Sequence, residues 1–159
     1  VLRYTMAQTA MLRSDERIEA LRDTLGDLLS MAEPRRHLAG MVSGLDIRYD
    51  LGDGHPMVGR RMPDLDLQTE AGATRVFNLL HQARPVLLDF GKPGGFDPSP
   101  WIGRVNLVPA THLGRWELPV LGRIDGPEAV LVRPDGYVAW AGQLNDLELP
   151  GVVTTWFGA

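Results

Sequence analysis

A chain of 159 residues, 44% of them hydrophobic, is long enough to bury one real core and carry an appendage. A formal charge of -4, with acidic and basic residues interspersed, leaves no basic stripe of the kind that holds a phosphate backbone, so nucleic acid is not an expected partner. Zero cysteines exclude disulfides, thiolate metal sites and thiol catalysis.

No apolar run approaches the roughly 18 residues a membrane span needs, and no basic segment followed by an apolar stretch and a cleavage site opens the chain. Neither membrane insertion nor secretion is expected, and a cytoplasmic location is. The chain starts at Val1 and runs into Leu2 to Leu12 with no helix-start signal in front, which reads as a cut end. From Val1 to about Leu51 the apolar spacing is helical. Ser14 is placed to cap a helix with Ile18, Leu21, Leu25, Leu28 and Leu29 on one face, and Asp15 and Glu16 favour its first turn. A second helix is predicted from Pro34 to Gly44, with Leu38, Met41 and Val42 on one side. These faces need a partner surface.

Leu45-Asp46-Ile47-Arg48-Tyr49 alternates like a short strand, and Gly52-Asp53-Gly54-His55-Pro56 reads as a linker. The domain boundary is placed there, with a helical segment over residues 1–55 and a second domain over 56–159. After it strands and helices alternate, which argues for an α/β or α+β domain. Leu65-Asp66-Leu67 reads as a strand, Thr74 as the cap of a helix through Val76, Phe77, Leu79 and Leu80, and Arg84 to Phe90 as a buried strand. Gly91 to Pro100 is a loop, and Val105 to Val108 another strand. Ala129 to Arg133 and Tyr137 to Trp140 flank Pro134-Asp135-Gly136, a β-hairpin signal. The tail from Pro150 through Phe157 reads as a closing helix.

This element order resembles the thioredoxin fold. Arg61-Met62-Pro63-Asp64-Leu65-Asp66-Leu67 resembles the phrase that leads into the first strand of thioredoxin-like domains, and Gly91-Lys92-Pro93-Gly94-Gly95 stands where an active thioredoxin has its Cys-x-x-Cys. A longer resemblance covers nearly the whole chain. Met6 to Ala10, Leu38 to Tyr49, His55 to Asp64 and Val130 to Trp140 look like the C-terminal third of actinobacterial aromatic polyketide hydroxylases, class A flavoprotein monooxygenases of the para-hydroxybenzoate hydroxylase superfamily. The resemblance implies a preceding FAD and substrate region as partner, FAD and NAD(P)H as cofactors of the full-length parent, and hydroxylation of an aromatic ring through a flavin hydroperoxide. None of that family's flavin motifs can be placed here. Gly52-Asp53 is a decoy, because it sits in the linker without a glycine-rich turn, so no catalytic, cofactor-binding or metal-binding residue is assigned to this chain.

Other candidate sites give way to plainer readings. A pyrophosphate needs amides presented by a glycine-rich strand-to-helix turn, and Gly52-x-Gly54 is followed by Met57, so the third glycine fails. Gly91 to Gly95 with Lys92 is better read as a plain loop than as an anion cradle. Ser43 misses a Gly-x-Ser-x-Gly elbow by one position and suits a helix C-terminal turn. His37, His55, His81 and His112 show no pair at metal-ligand spacing. Trp101, Trp116, Trp140 and Trp156 sit on separate elements and are expected in packing rather than as a ligand platform. Pro127, just before a hairpin strand, stands where the thioredoxin fold has a cis-proline, and a cis bond there is weighed evenly against trans.

Two readings follow. The first is the C-terminal structural portion of a monooxygenase, inactive and without FAD by itself, self-associating as a homodimer through its first helices. The second is a stand-alone thioredoxin-like binding or adaptor module.

Overall fold

The computed structural model describes residues 2–91, 99–101, 103–118 and 120–158, and its chain divides into two compact units, Val1–Ser43 and Gly44–Ala159. The first unit is helical: α1 (Leu2–Met11), α2 (Glu16–Ser30) and α3 (Ala32–Ser43). Asp15, not Ser14, caps α2. Its carboxylate accepts from the amides of Arg17 and Ile18 at 3.2 Å each, and its charge also favours the positive end of the helix. The free carbonyls at the end of α1 are met by Arg22, whose Nε donates to Met11 at 3.0 Å and whose Nη2 donates to Arg13 at 2.7 Å. Helix α3 begins two residues before Pro34, which is tolerated there because the first-turn amides have no helical acceptor. It ends, as expected, where Gly44 takes φ +73°. Within these three helices Gly40 is the one buried residue, while Leu21, Leu28 and Val42 are 45%, 44% and 64% exposed.

In the second unit, the expected strand at Leu45–Tyr49 reduces to an isolated bridge between Arg48 and Arg60. The Tyr49 amide donates to the Gly59 carbonyl at 2.8 Å, and the Gly59 amide donates to Val138 at 2.9 Å, which ties residues 48–62 to the hairpin strand. The region read as a linker is therefore bonded into this unit. Strands β1 (Asp66–Thr69), β2 (Gly72–Arg75), β3 (Val86–Asp89), β4 (Asn106–Thr111), β7 (Ala129–Val132) and β8 (Val138–Gly142) form one mixed six-stranded sheet in the order β2-β1-β4-β3-β7-β8. Strands β3 and β4 are parallel and the other pairs antiparallel. A separate ribbon pairs β5 (Glu117–Leu118) with β6 (Gly122–Arg123), and neither of these two-residue strands stands out in the sequence.

The core follows from strand periodicity. Val86 and Leu88 of β3, with Val130 and Val132 of β7, point to one face, where Met57, Met62, Leu65 and Val76 cover them. Leu87, Ala129 and Leu131 point to the other, under Leu149 and Val153 of α5 (Leu149–Phe157). Burial on both faces explains the unbroken apolar runs of β3 and β7. Strand β4 carries Pro109 where its ladder to β3 ends at Asp89 and its ladder to β1 begins at Ala110. The thioredoxin-like α/β class expected from the sequence is the class observed: a parallel pair, an antiparallel hairpin and a closing helix across one face.

Two local expectations are corrected. Thr74 does not cap a helix. It lies in β2 opposite Leu67, and the short helix α4 (Val76–Leu79) starts after Arg75, which makes no side-chain cap bond. The cap comes from a distance: Asp64 Oδ1 accepts from the Phe77 amide at 3.0 Å. Pro127 is trans, since the described residues include no cis peptide bond, in keeping with the preference of about 0.5–1 kcal/mol for trans X–Pro.

Candidate functional site

The place to look for chemistry in this fold is the C-terminal end of β3. Asp89 is buried there and its Oδ1 accepts from the Gly91 amide at 2.8 Å, closing a tight turn. Lys92 to Gly95, the rest of the stretch that replaces a dithiol, lie outside the described residues. Beside this end, Phe90 meets the edge of Trp116 at 5.2 Å between ring centroids, and His112 meets Trp116 at 5.7 Å. The indole lies so close to the Gly126 backbone that a Cβ there would stand 2.1 Å from its Nε1. His112 Nδ1 lies 2.8 Å from the Asp66 carbonyl, which can only accept, so that nitrogen carries the proton. The result is an aromatic plug. It orders the end of the sheet and presents no paired nucleophile and base among the described residues.

The other residues weighed from the sequence fall apart in space. The Ser43 hydroxyl donates to the carbonyls of Ala39 and Gly40 at 2.6 and 3.1 Å, the helix C-terminal role expected of it. His55 lies near the Asp125 carbonyl at 3.2 Å, and His37 and His81 are exposed. Trp140 is buried in one core layer with Trp101 against it, and Trp116 packs on the other. Trp156 is 37% exposed, with the Arg133 guanidinium 4.3 Å above its ring. The four rings share no platform.

FAD is the cofactor that the sequence resemblance implies, and the residues present do not fit its pyrophosphate. Gly52 and Gly54 lie in irregular backbone with φ of +93° and +150°, with no helix of the described residues opening directly behind them. The direct strand-to-helix junction from β2 into α4 passes through Arg75 and Val76 without a glycine.

Sequence reasoning missed two features. One is a groove of about 260 Å³ beside the β5–β6 ribbon, lined by Leu45, Arg60, Phe77, Leu118 and Leu121 among others. The other is a surface cluster in which Arg133 stands over both Tyr49 and Trp156, while Tyr49 meets the edge of Tyr137 at 4.8 Å. Both join residues distant in the chain, so no local pattern announces them.

Comparison with known proteins places this architecture. Residues 55–159 match the family model described as aromatic-ring hydroxylase, C-terminal. The chain is 41% identical over 162 residues to a 12-dehydrotetracycline 5-monooxygenase/anhydrotetracycline 6-monooxygenase of Streptomyces rimosus, covering 99% of this chain and 31% of that protein. It is 34% identical to a rifampicin monooxygenase of Streptomyces venezuelae, covering 100% of this chain and 30% of that protein. The solved structure of an anhydrotetracycline hydroxylase from Streptomyces rimosus superposes with a TM-score of 0.83 at 39% identity, covering 99% of this chain and 32% of that one. The chain thus spans about a third of the length of the curated relatives it matches. With a mixed six-stranded sheet of thioredoxin-like class and that match over 55–159, the chain belongs to the family of aromatic-ring hydroxylase C-terminal domains.

Proposed function

We propose that this chain is the C-terminal structural portion of an FAD- and NAD(P)H-dependent aromatic hydroxylase acting in polyketide or aromatic-compound metabolism, and that by itself it neither binds FAD nor catalyses. The observation that carries the reading is the family match over residues 55–159, joined to a helical unit whose apolar side chains are not buried. Leu2, Leu12 and Val42 are 75%, 81% and 64% exposed, and apolar side chains left exposed in and beside helices suit a surface that another body covers. The covering body is proposed to be the FAD and substrate region of the same polypeptide, with residues 1–55 as the last part of that core and residues 56–159 as a thioredoxin-like cover without redox chemistry. The aromatic character of the substrate rests on the family's description, and two relatives are named as monooxygenases of 12-dehydrotetracycline and anhydrotetracycline and of rifampicin. A homodimer through the helical unit and a cytoplasmic location complete the proposal; no helix of the described residues is long and apolar enough to cross a membrane.

The test is spectroscopic. Purified alone with added FAD, the chain is expected to stay colourless after gel filtration and to oxidise no NAD(P)H. Retained flavin absorbance would overturn the assignment of flavin binding to another part of the protein. Light scattering on the same sample decides the dimer: a mass of one chain sinks it.

A further inference from the structure

We propose that the groove beside the β5–β6 ribbon is a binding site for a small monocarboxylic acid with a compact apolar body. Its anchor is Arg60. The Nε of this side chain is shielded from solvent and has no hydrogen-bond partner among the described residues, and Arg60 joins no ion pair there. The other guanidiniums nearby are engaged. Arg75 lies 3.1 Å from Asp64 and 3.4 Å from Asp66, and Arg61 stands 5.4 Å above the Phe77 ring. A buried guanidinium donor calls for an acceptor, and a carboxylate matches its fork with two parallel bonds.

Neither carboxylate that lines the groove is bonded to Arg60 among the described residues. Asp64 lines it, but one of its oxygens takes the Phe77 amide at 3.0 Å and the other the Arg75 Nε at 3.1 Å. Glu117 also lines it and is exposed, without an ion pair among the described residues. Its negative charge disfavours a dianion such as phosphate and leaves a monoanion as the better fit. The remaining walls are apolar: Leu45, Phe77, Leu118 and Leu121. A volume of about 260 Å³ falls just under the roughly 300–1,000 Å³ of pockets for drug-sized ligands, so the apolar body must be compact. The site does not depend on the hydroxylase reading.

The experiment is calorimetric titration of the whole natural polypeptide carrying this chain with phenylacetate, and with phenylacetamide as its neutral counterpart. Phenylacetate is expected to bind at least tenfold more tightly than the amide. Arg60→Gln should weaken phenylacetate at least tenfold and leave the amide unchanged. Leu121→Glu, at a wall side chain 37% exposed and therefore tolerant of substitution, should abolish phenylacetate binding with the circular dichroism spectrum intact. If Arg60→Gln does not fold, Leu121→Glu decides alone. Absence of phenylacetate binding, equal affinity for acid and amide, or binding unaltered by Leu121→Glu each overturns the proposal, the last by placing the acid elsewhere on the protein.

Discussion

At Gly59 a single hydrogen atom decides the local structure. The residue takes φ +78°, and a Cβ would stand 2.0 Å from the Tyr49 carbonyl oxygen, a backbone atom that cannot swing away. Gly59→Ala is therefore expected to cost at least about 2 kcal/mol in urea denaturation; a loss under about 0.5 kcal/mol would show that the crossing of 49 and 59 is not rigid. Asp64 supports a sharper comparison, because its two oxygens do different work. Removing both functions with Asp64→Ala should cost about 1–2 kcal/mol, most of it from the uncapped Phe77 amide. Asp64→Asn keeps an acceptor for that amide and loses only the pairing with Arg75, whose side chain is 54% exposed, so it should cost well under about 1 kcal/mol. Equal losses in the two variants would sink the capping role. Gly126 holds the Trp116 indole against its backbone, and Gly126→Ala should displace the ring and shift the tryptophan emission spectrum. An unchanged spectrum would mean the plug does not rest on that contact.

Among the elements, those that declared themselves in the sequence are those whose causes are local. The hairpin of β7 and β8 was readable because Pro134 presets one backbone angle and Gly136 supplies another, at φ +84°, between two runs of β-forming residues. Strand β3 was readable from its continuous apolar run, and α5 from a proline in its first turn. Strand β2 and helix α4 were misread for the opposite reason. Thr74 is a competent cap by type, but pairing of Leu67 with Thr74 claims it for the sheet, and Asp64 supplies the cap from thirteen residues away in sequence. The same division sets what mutations should do. Leu131→Ala, at a fully buried position of β7, should cost about 2–5 kcal/mol in a denaturant melt of this chain. Val42→Ala in α3, 64% exposed, should change stability by no more than about 0.5 kcal/mol. A large loss at Val42 would reveal packing that its exposure denies.

For the molecule as a whole, the asymmetry between its two units is the main physical fact. Gly44–Ala159 carries a layer of buried apolar side chains on each face of one sheet, whereas no side chain of the described residues 2–43 is fully buried. A helical unit of that kind draws most of its stability from a surface it covers, since isolated short helices are marginal in water. Leu28→Glu should accordingly cost this chain less than it costs the proposed full-length hydroxylase, which it should destabilise by several kcal/mol because the charge would there be buried against the preceding region. Thermal melts of both forms check this, and equal effects would argue against a covered helical face. The sequence by itself determined the α/β class, the absence of thiol chemistry, the helical character of the first third and the central hairpin, because composition and patterns within a few residues decide these. Only the tertiary structure decided that Asp64 caps α4, that Gly59 passes under Tyr49, that Pro127 stays trans, and that the Arg60 Nε has no acceptor among the described residues beside a largely apolar groove. Each depends on which distant residues the sheet brings together, and steric fit and hydrogen-bond satisfaction across such contacts have no trace in local spacing.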